Sequence, residues 1–193
     1  AYDDAGGTIE ARLVWMLRVI DREAALLDGG LAAWRGELEV GEGDPNAGAV
    51  DLTSGYRTKG RPHARAARFT ARPWPAERLA TIDDAAATSQ AAGEHADRRP
   101  AGTAPASVLI DARQRERYLG EPDEVDPRAG HIPGALSVPC RENVDADGRL
   151  LPVEELRARF DFGAGTEVIS YCGSGVTACL NLLAMEQAGL GPG

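Results

Sequence analysis

The 193 residues carry a net charge of −9 and are 43% hydrophobic, enough to bury a core of ordinary domain size. So acidic a chain has no electrostatic reason to bind nucleic acid or an anionic membrane face, and neither is expected as a partner. Small anionic substrates stay open to it wherever arginines supply a local field. Three cysteines, Cys140, Cys172 and Cys179, form no CxxC pair and no metal-ligand spacing. Free thiols are therefore expected, with no metal and no disulfide framework. Residues 1–10 lack a basic start and an apolar run, and no stretch of 18 apolar residues follows. A cytoplasmic location is the resulting expectation.

In chain order, Ile9, Leu13, Met16, Leu17 and Ile20 recur at three and four and predict a helix with one buried face. Ala24-Ala25-Leu26-Leu27 reads as a short buried strand, Asp28-Gly29-Gly30 as a turn, and Leu31 to Arg35 as the start of a second helix. Residues 1–40 thus read as the tail of an α/β unit. Residues 41–75 are rich in Gly, Pro and charge and read as a linker or long surface connection. Arg57, Lys59, Arg61, Arg65, Arg68 and Arg72 give it a positive bias suited to an acidic surface, and Phe69 and Trp74 are the expected anchors.

A helix with acidic residues in its first turn is predicted from Ile82. Ser107 to Ile110 is a strand ending at Asp111-Ala112-Arg113, followed by a short helix or turn over 114–118. An acidic, proline-containing loop occupies 120–130. His131 to Ala135 is a turn that delivers a short strand, Leu136 to Pro139. Val153 to Phe160 is a helix, and Val168 opens the last strand. Strands alternating with helices predict an α/β fold, a parallel sheet covered by helices.

The last strand leads into Tyr171-Cys172-Gly173-Ser174-Gly175-Val176-Thr177, and an apolar helical pattern opens at Ala178. Glycines let successive N–H groups turn toward one centre, and a helix N-terminus adds partial positive charge. Both favour a thiolate at Cys172. Two readings fit this spacing: a reactive cysteine in an anion-stabilising cradle, or a buried cysteine whose glycines serve only the turn. A partial repeat is also visible. Tyr2-Asp3-Asp4-Ala5-Gly6-Gly7-Thr8 aligns with residues 171–177, placing Asp3 where Cys172 stands. A carboxylate there cannot do thiol chemistry.

Four motifs in order carry a family resemblance: Asp111-Ala112-Arg113, Arg117-Tyr118, Gly130-His131-Ile132-Pro133-Gly134-Ala135, and Cys172 to Ala178. With Asp28-Gly29-Gly30-Leu31 and Trp34, the chain resembles the tandem-domain rhodanese-like sulfurtransferases. The resemblance implies three parts: residues 1–40 as the end of a non-catalytic rhodanese-like domain, 41–80 as an interdomain linker, and 81–193 as a catalytic domain lacking its last strand and helix. It implies that the tandem protein extends beyond both ends of this sequence.

It also implies a chemistry. Cys172 would be the nucleophile that takes a sulfane sulfur from a small anionic donor and passes it to cyanide or a thiol, a thioredoxin-like protein among the candidates. No cofactor is needed. Arg117 would bind the donor's anionic group, with Gly173, Ser174, Gly175, Val176 and Thr177 forming the cradle. Thr177 would cap the following helix. For Arg113 two roles stay open, donor contact or a tie to Asp111. His131 is expected to order its turn and Cys179 to fill the core, while Cys140 has no motif support. The neutral Gly173-Ser174 pair resembles the mercaptopyruvate-using branch, which carries a second arginine; Arg128 is displaced from that position by two residues. Thiosulfate is the alternative donor. A phosphatase or arsenate reductase would need an arginine where Ala178 stands, and a non-catalytic regulatory module is the remaining rival.

Overall fold

Ser107 to Asp111 form β1, the central strand, and all but the first residue are buried. In this computed structural model the described residues are 1–38, 70–95, 104–122, 124–126 and 128–191. β1 is flanked by β2, Leu136–Ser137, and β3, Glu167–Tyr171, in the order β2-β1-β3, and both pairings are parallel. Val108, Leu109 and Ile110 form the unbroken apolar run expected of a strand covered on both faces. β2 is shorter than the predicted 136–139. Backbone hydrogen bonding to the β1 segment runs on past it, with Val138 N–H donating to the Asp111 carbonyl at 2.9 Å and Cys140 N–H to the Ala112 carbonyl at 3.1 Å.

Among the described residues five α-helices accompany the sheet: α1 (Glu10–Arg18), α2 (Ile82–His95), α3 (Arg115–Leu119), α4 (Val153–Arg159) and α5 (Ala178–Gln187). α5 is the buried one. Ala178, Cys179, Leu180, Leu183, Ala184 and Met185 are all inaccessible, so it is apolar on nearly every side. It joins two packed clusters. One holds Ala11 and Val14 of α1 with Ala112, Cys140, Cys179, Leu180 and Leu183; the other holds Val108, Ile110, Val138, Leu156, Phe160 and Met185. Buried Asn181 is satisfied on both sides: it donates to the Val138 carbonyl at 2.9 Å and accepts from Asn143 at 2.7 Å. Unpaired, such an amide would cost about 1–3 kcal/mol.

Residues 1–34 and 74–193 form one compact unit. Residues 35–73 form a second, of which only 35–38 and 70–73 are described. The predicted connection over 41–75, with Phe69 and all of its basic residues but Arg72, therefore lies almost wholly outside the described residues. Trp74 does act as an anchor: it stacks on Trp15 of α1, ring centroids 6.1 Å apart.

Two expectations in the first 40 residues are corrected. Ala24–Leu27 is extended but is not a strand of the sheet. Its backbone bonds to Ala1, through Leu27 N–H to the Ala1 carbonyl at 2.8 Å and Ala1 N to the Ala25 carbonyl at 2.9 Å, and its Ala24 carbonyl accepts from Arg18 Nε at 2.9 Å. A strand needs a neighbour along its whole length to fill its ladder. The helix expected from Leu31 is a single 3-10 turn, Leu31–Ala33. Gly30 enters it at φ 61°, and a Cβ there would collide with the Asp3 carbonyl.

Candidate active site

Because the three strands run parallel, their carboxyl ends open on one edge, where α/β sheets place their ligands. Arg113 follows β1, Cys140 follows β2 and Cys172 follows β3. Cys172 is half-buried, and Gly173, Ser174 and Gly175 beside it are exposed. Gly175 takes φ 72°, a left-handed conformation that turns its N–H onto the Cys172 Sγ at 3.1 Å. Burial alone would raise the thiol's pKa. The Thr177 hydroxyl and the N–H groups of Ser174, Ala178 and Thr177 outweigh it, and hold Cys172 below the ordinary thiol value. The sulfur also faces the N-terminus of α5, whose dipole acts in the same direction.

The other two thiols behave oppositely. Burial pushes Cys179 up to about 11 and raises Cys140 as well. Cys179 is a core residue as expected, its Sγ donating to the Gly175 carbonyl at 3.1 Å. Thr177 corrects its expected role. It makes no side-chain cap on α5, because its hydroxyl lies within reach of Cys172 and Cys140 instead.

Of the two roles left open for Arg113, the tie to Asp111 is present in the structure. Each of its three nitrogens is taken up by the protein. Nε and Nη2 hold the fully buried Asp111 carboxylate, at 3.0 and 2.6 Å, and Nη2 also donates to the Gly130 carbonyl. Nη1 donates to Asp126 at 2.8 Å. Arg113 is 8% exposed and braces the site through these contacts. His131 orders its turn as expected, its ring stacked on Tyr118 at 3.6 Å and Nδ1 2.8 Å from the Tyr118 carbonyl.

Arg117, on α3, does reach the loop. A Cβ on Gly173 would lie 3.5 Å from Arg117 Nη2 and 3.9 Å from Asp126 Oδ1. Asp126 holds this guanidinium in a two-point grip, Nε to Oδ2 at 2.7 Å and Nη2 to Oδ1 at 2.5 Å. The bond to Arg117, then that to Arg113, keeps the Asp126 carboxyl below its usual range against the effect of burial. Arg128 is exposed.

Two residues at the site escaped the sequence reading. Asp126 sat unremarked in an acidic loop. Arg12, on an exposed face of α1, donates through Nη1 to the Ser174 carbonyl at 2.8 Å. Nothing local marks either residue.

The loop at Asp3 resembles the Cys172 loop in its hydrogen bonding. Its carboxylate accepts N–H bonds from Ala5, Gly7, Ile9 and Glu10, at 2.7–3.1 Å. Burial opposes, but these four bonds lower the Asp3 pKa. Asp3 fills its own cradle.

A cysteine with a lowered pKa is thus presented by a strand-to-helix loop at the carboxyl edge of a parallel sheet, with a guanidinium beside it. The chain belongs to the rhodanese-like family: residues 91–192 match the family described as "Rhodanese-like domain". It is 36% identical over 194 residues to a Pseudomonas aeruginosa protein named "Probable 3-mercaptopyruvate sulfurtransferase", covering 97% of this chain and 58% of that one. Against the 3-mercaptopyruvate sulfurtransferase of Escherichia coli K12 the figures are 35% over 192 residues, 95% and 57%. Against bovine thiosulfate sulfurtransferase they are 30% over 195 residues, 97% and 55%. The chain thus spans little more than half the length of these relatives. The crystal structure of SseA from Escherichia coli, a 3-mercaptopyruvate sulfotransferase by its description, has a TM-score of 0.64 at 30% identity, covering 97% of this chain and 61% of that one.

Proposed function

We propose that this chain carries the sulfur-accepting centre of a sulfurtransferase, with Cys172 as nucleophile and 3-mercaptopyruvate as the favoured donor. The observation that carries this is the Cys172 Sγ at the start of α5, accepting the Gly175 N–H at 3.1 Å, in surroundings that lower its pKa while burial raises the other two thiols. Only one of the three cysteines is set up to be a thiolate, and it is the most accessible of them.

The step is a displacement at sulfur. The Cys172 thiolate attacks the donor's sulfur, forming an S–S bond while the S–C bond breaks. The bonding pair leaves on carbon as the enolate of pyruvate, which takes up the proton of the donor's SH group. The outcome is pyruvate and a Cys172 persulfide anion. The N–H groups of Ser174, Gly175, Thr177 and Ala178 that stabilise the thiolate are placed to stabilise that anion too. Arg117 orients the donor through its carboxylate, a task for which a planar fork of donors is suited. A thiol, such as that of a thioredoxin-like protein, or cyanide then attacks the outer sulfur and restores the thiolate.

The same reading treats residues 1–40 as part of a non-catalytic copy of the domain. Asp3, saturated by its own loop, supports this. The names of the relatives in Pseudomonas aeruginosa and Escherichia coli support mercaptopyruvate as donor. Side-by-side sulfur-transfer assays with 3-mercaptopyruvate and thiosulfate test the proposal. Transfer from mercaptopyruvate is expected to be faster and to vanish in Cys172→Ser; transfer that survives this substitution overturns it.

A further inference from the structure

Arg117 of α3 reaches toward the Cys172 loop, and the structure gives the side-on edge of its fork an internal anion. Both Asp126 oxygens face it: Oδ1 takes Nη2 at 2.5 Å and Oδ2 takes Nε at 2.7 Å. This is the side-on geometry that an incoming carboxylate would adopt. Asp126 does not depend on Arg117 alone. Its Oδ2 also accepts from Arg113 Nη1 at 2.8 Å, and Arg113 is anchored in turn to buried Asp111. The carboxylate can therefore let go of Arg117 and keep a fixed partner. The pair lies against the active loop, within 4 Å of where a side chain on Gly173 would begin. Asp126 is 14% exposed and Arg117 22%, so the contact is only partly screened by water and salt.

We propose that Asp126 is a built-in competitor for Arg117 that sets the donor preference of the site: donors enter by displacing it, and its charge favours monoanions over dianions. The inference rests on the sulfurtransferase reading for its identification of the ligand as a sulfur donor. Two consequences follow from charge alone. A donor must replace the Arg117–Asp126 contact before it gains the side-on Nε–Nη2 edge of Arg117. And because Asp126 stays nearby on Arg113 after displacement, it repels each further negative charge on the donor. A monoanionic 2-oxo acid thiol suffers this once; thiosulfate suffers it twice.

Asp126→Asn removes the charge while keeping the shape and a hydrogen-bonding oxygen. The KM for 3-mercaptopyruvate is expected to fall at least about threefold with kcat little changed, the size of one partly screened ion pair. The KM for thiosulfate should fall further, so the thiosulfate-to-mercaptopyruvate ratio of kcat/KM rises. Calorimetric binding of pyruvate and sulfate, which react with nothing, is expected to tighten in the same order. An unchanged or higher KM in a folded Asp126→Asn protein, an equal gain for both anions, or no pyruvate binding to either protein overturns the proposal. For the case in which the variant does not fold, the wild type supplies the test. The carboxyl 13C resonance of Asp126 should move when pyruvate saturates the site, and a resonance that stays put while pyruvate binds overturns it. Binding that tightens in a protein whose wild type transfers no sulfur upholds the competitor and refutes the sulfurtransferase reading instead.

Discussion

Arg12 and Ser174 are 162 residues apart in sequence, yet the guanidinium of one donates to the backbone carbonyl of the other at 2.8 Å. The bond fixes the middle of the Cys172 loop from α1, so a segment without a nucleophile helps to shape the one that has it. Arg12→Ala is expected to loosen the loop at a cost of about 1 kcal/mol, which is roughly fivefold in sulfur-transfer rate. Thermal unfolding should change little, because Arg12 is exposed. Steady-state kinetics beside a melting curve separate the two effects.

Gly175 serves the loop by its backbone. At φ 72° it aims its N–H at the sulfur, and an alanine there meets Arg12 Nη1 only at an ordinary 3.5 Å, so strain rather than crowding decides the outcome. Gly175→Ala should cost about 1–2 kcal/mol if the conformation is kept. If the loop relaxes instead, Cys172 loses this donor and its pKa rises. Iodoacetamide alkylation followed against pH detects the second outcome, and urea unfolding the first.

The three thiols should separate cleanly with pH. Cys172 is depressed, so its alkylation should persist below the ordinary thiol value of 9.0 and fall away only as pH drops through its lowered pKa. The sign for stability is the same: the thiolate's contribution is complete above 9.0 and is lost as pH falls through the folded value. Cys179, raised to about 11, works in the opposite direction. Its burial as a neutral thiol supports the fold below 9.0, and that support is lost as pH rises toward 11. Peptide mapping after brief labelling near pH 8 should find Cys172 modified first.

Arg113 is expected to behave as a strut. Replacing it by alanine leaves the carboxylate of Asp111, with no exposed surface, short of its main partner. Breaking a buried pair from one side costs about 3–5 kcal/mol. Arg113→Ala should therefore appear in denaturant midpoints, whereas Arg117→Ala should raise the donor KM with little loss of stability.

Local signals carried most of what the sequence revealed. The Cys172 loop was legible because its glycines, its β-branched approach and the apolar run after it are contiguous. β1, α1, α4 and α5 were legible for the same reason, each announced by a contiguous apolar run or a helical period of its own. Asp126 was not, since its importance lies in meeting Arg117 and Arg113 across a folded loop, and one more acidic residue in an acidic stretch carries no mark. Ala24–Leu27 misled because β propensity says only that a segment suits a pleated, half-buried surface. Whether a neighbouring strand stands beside it is decided elsewhere. Thr177 at a helix start suggested a cap, but two thiols in reach offered its hydroxyl other partners.

The central claim is that Cys172 itself takes up the sulfur. Intact-protein mass spectrometry after brief exposure to 3-mercaptopyruvate tests it directly, with cyanide added afterwards to one portion. The wild type should gain the mass of one sulfur atom, map it to Cys172 and lose it to cyanide, while Cys172→Ser gains none. No gain in the wild type, or an equal gain in Cys172→Ser carried by Cys140 or Cys179, would contradict it.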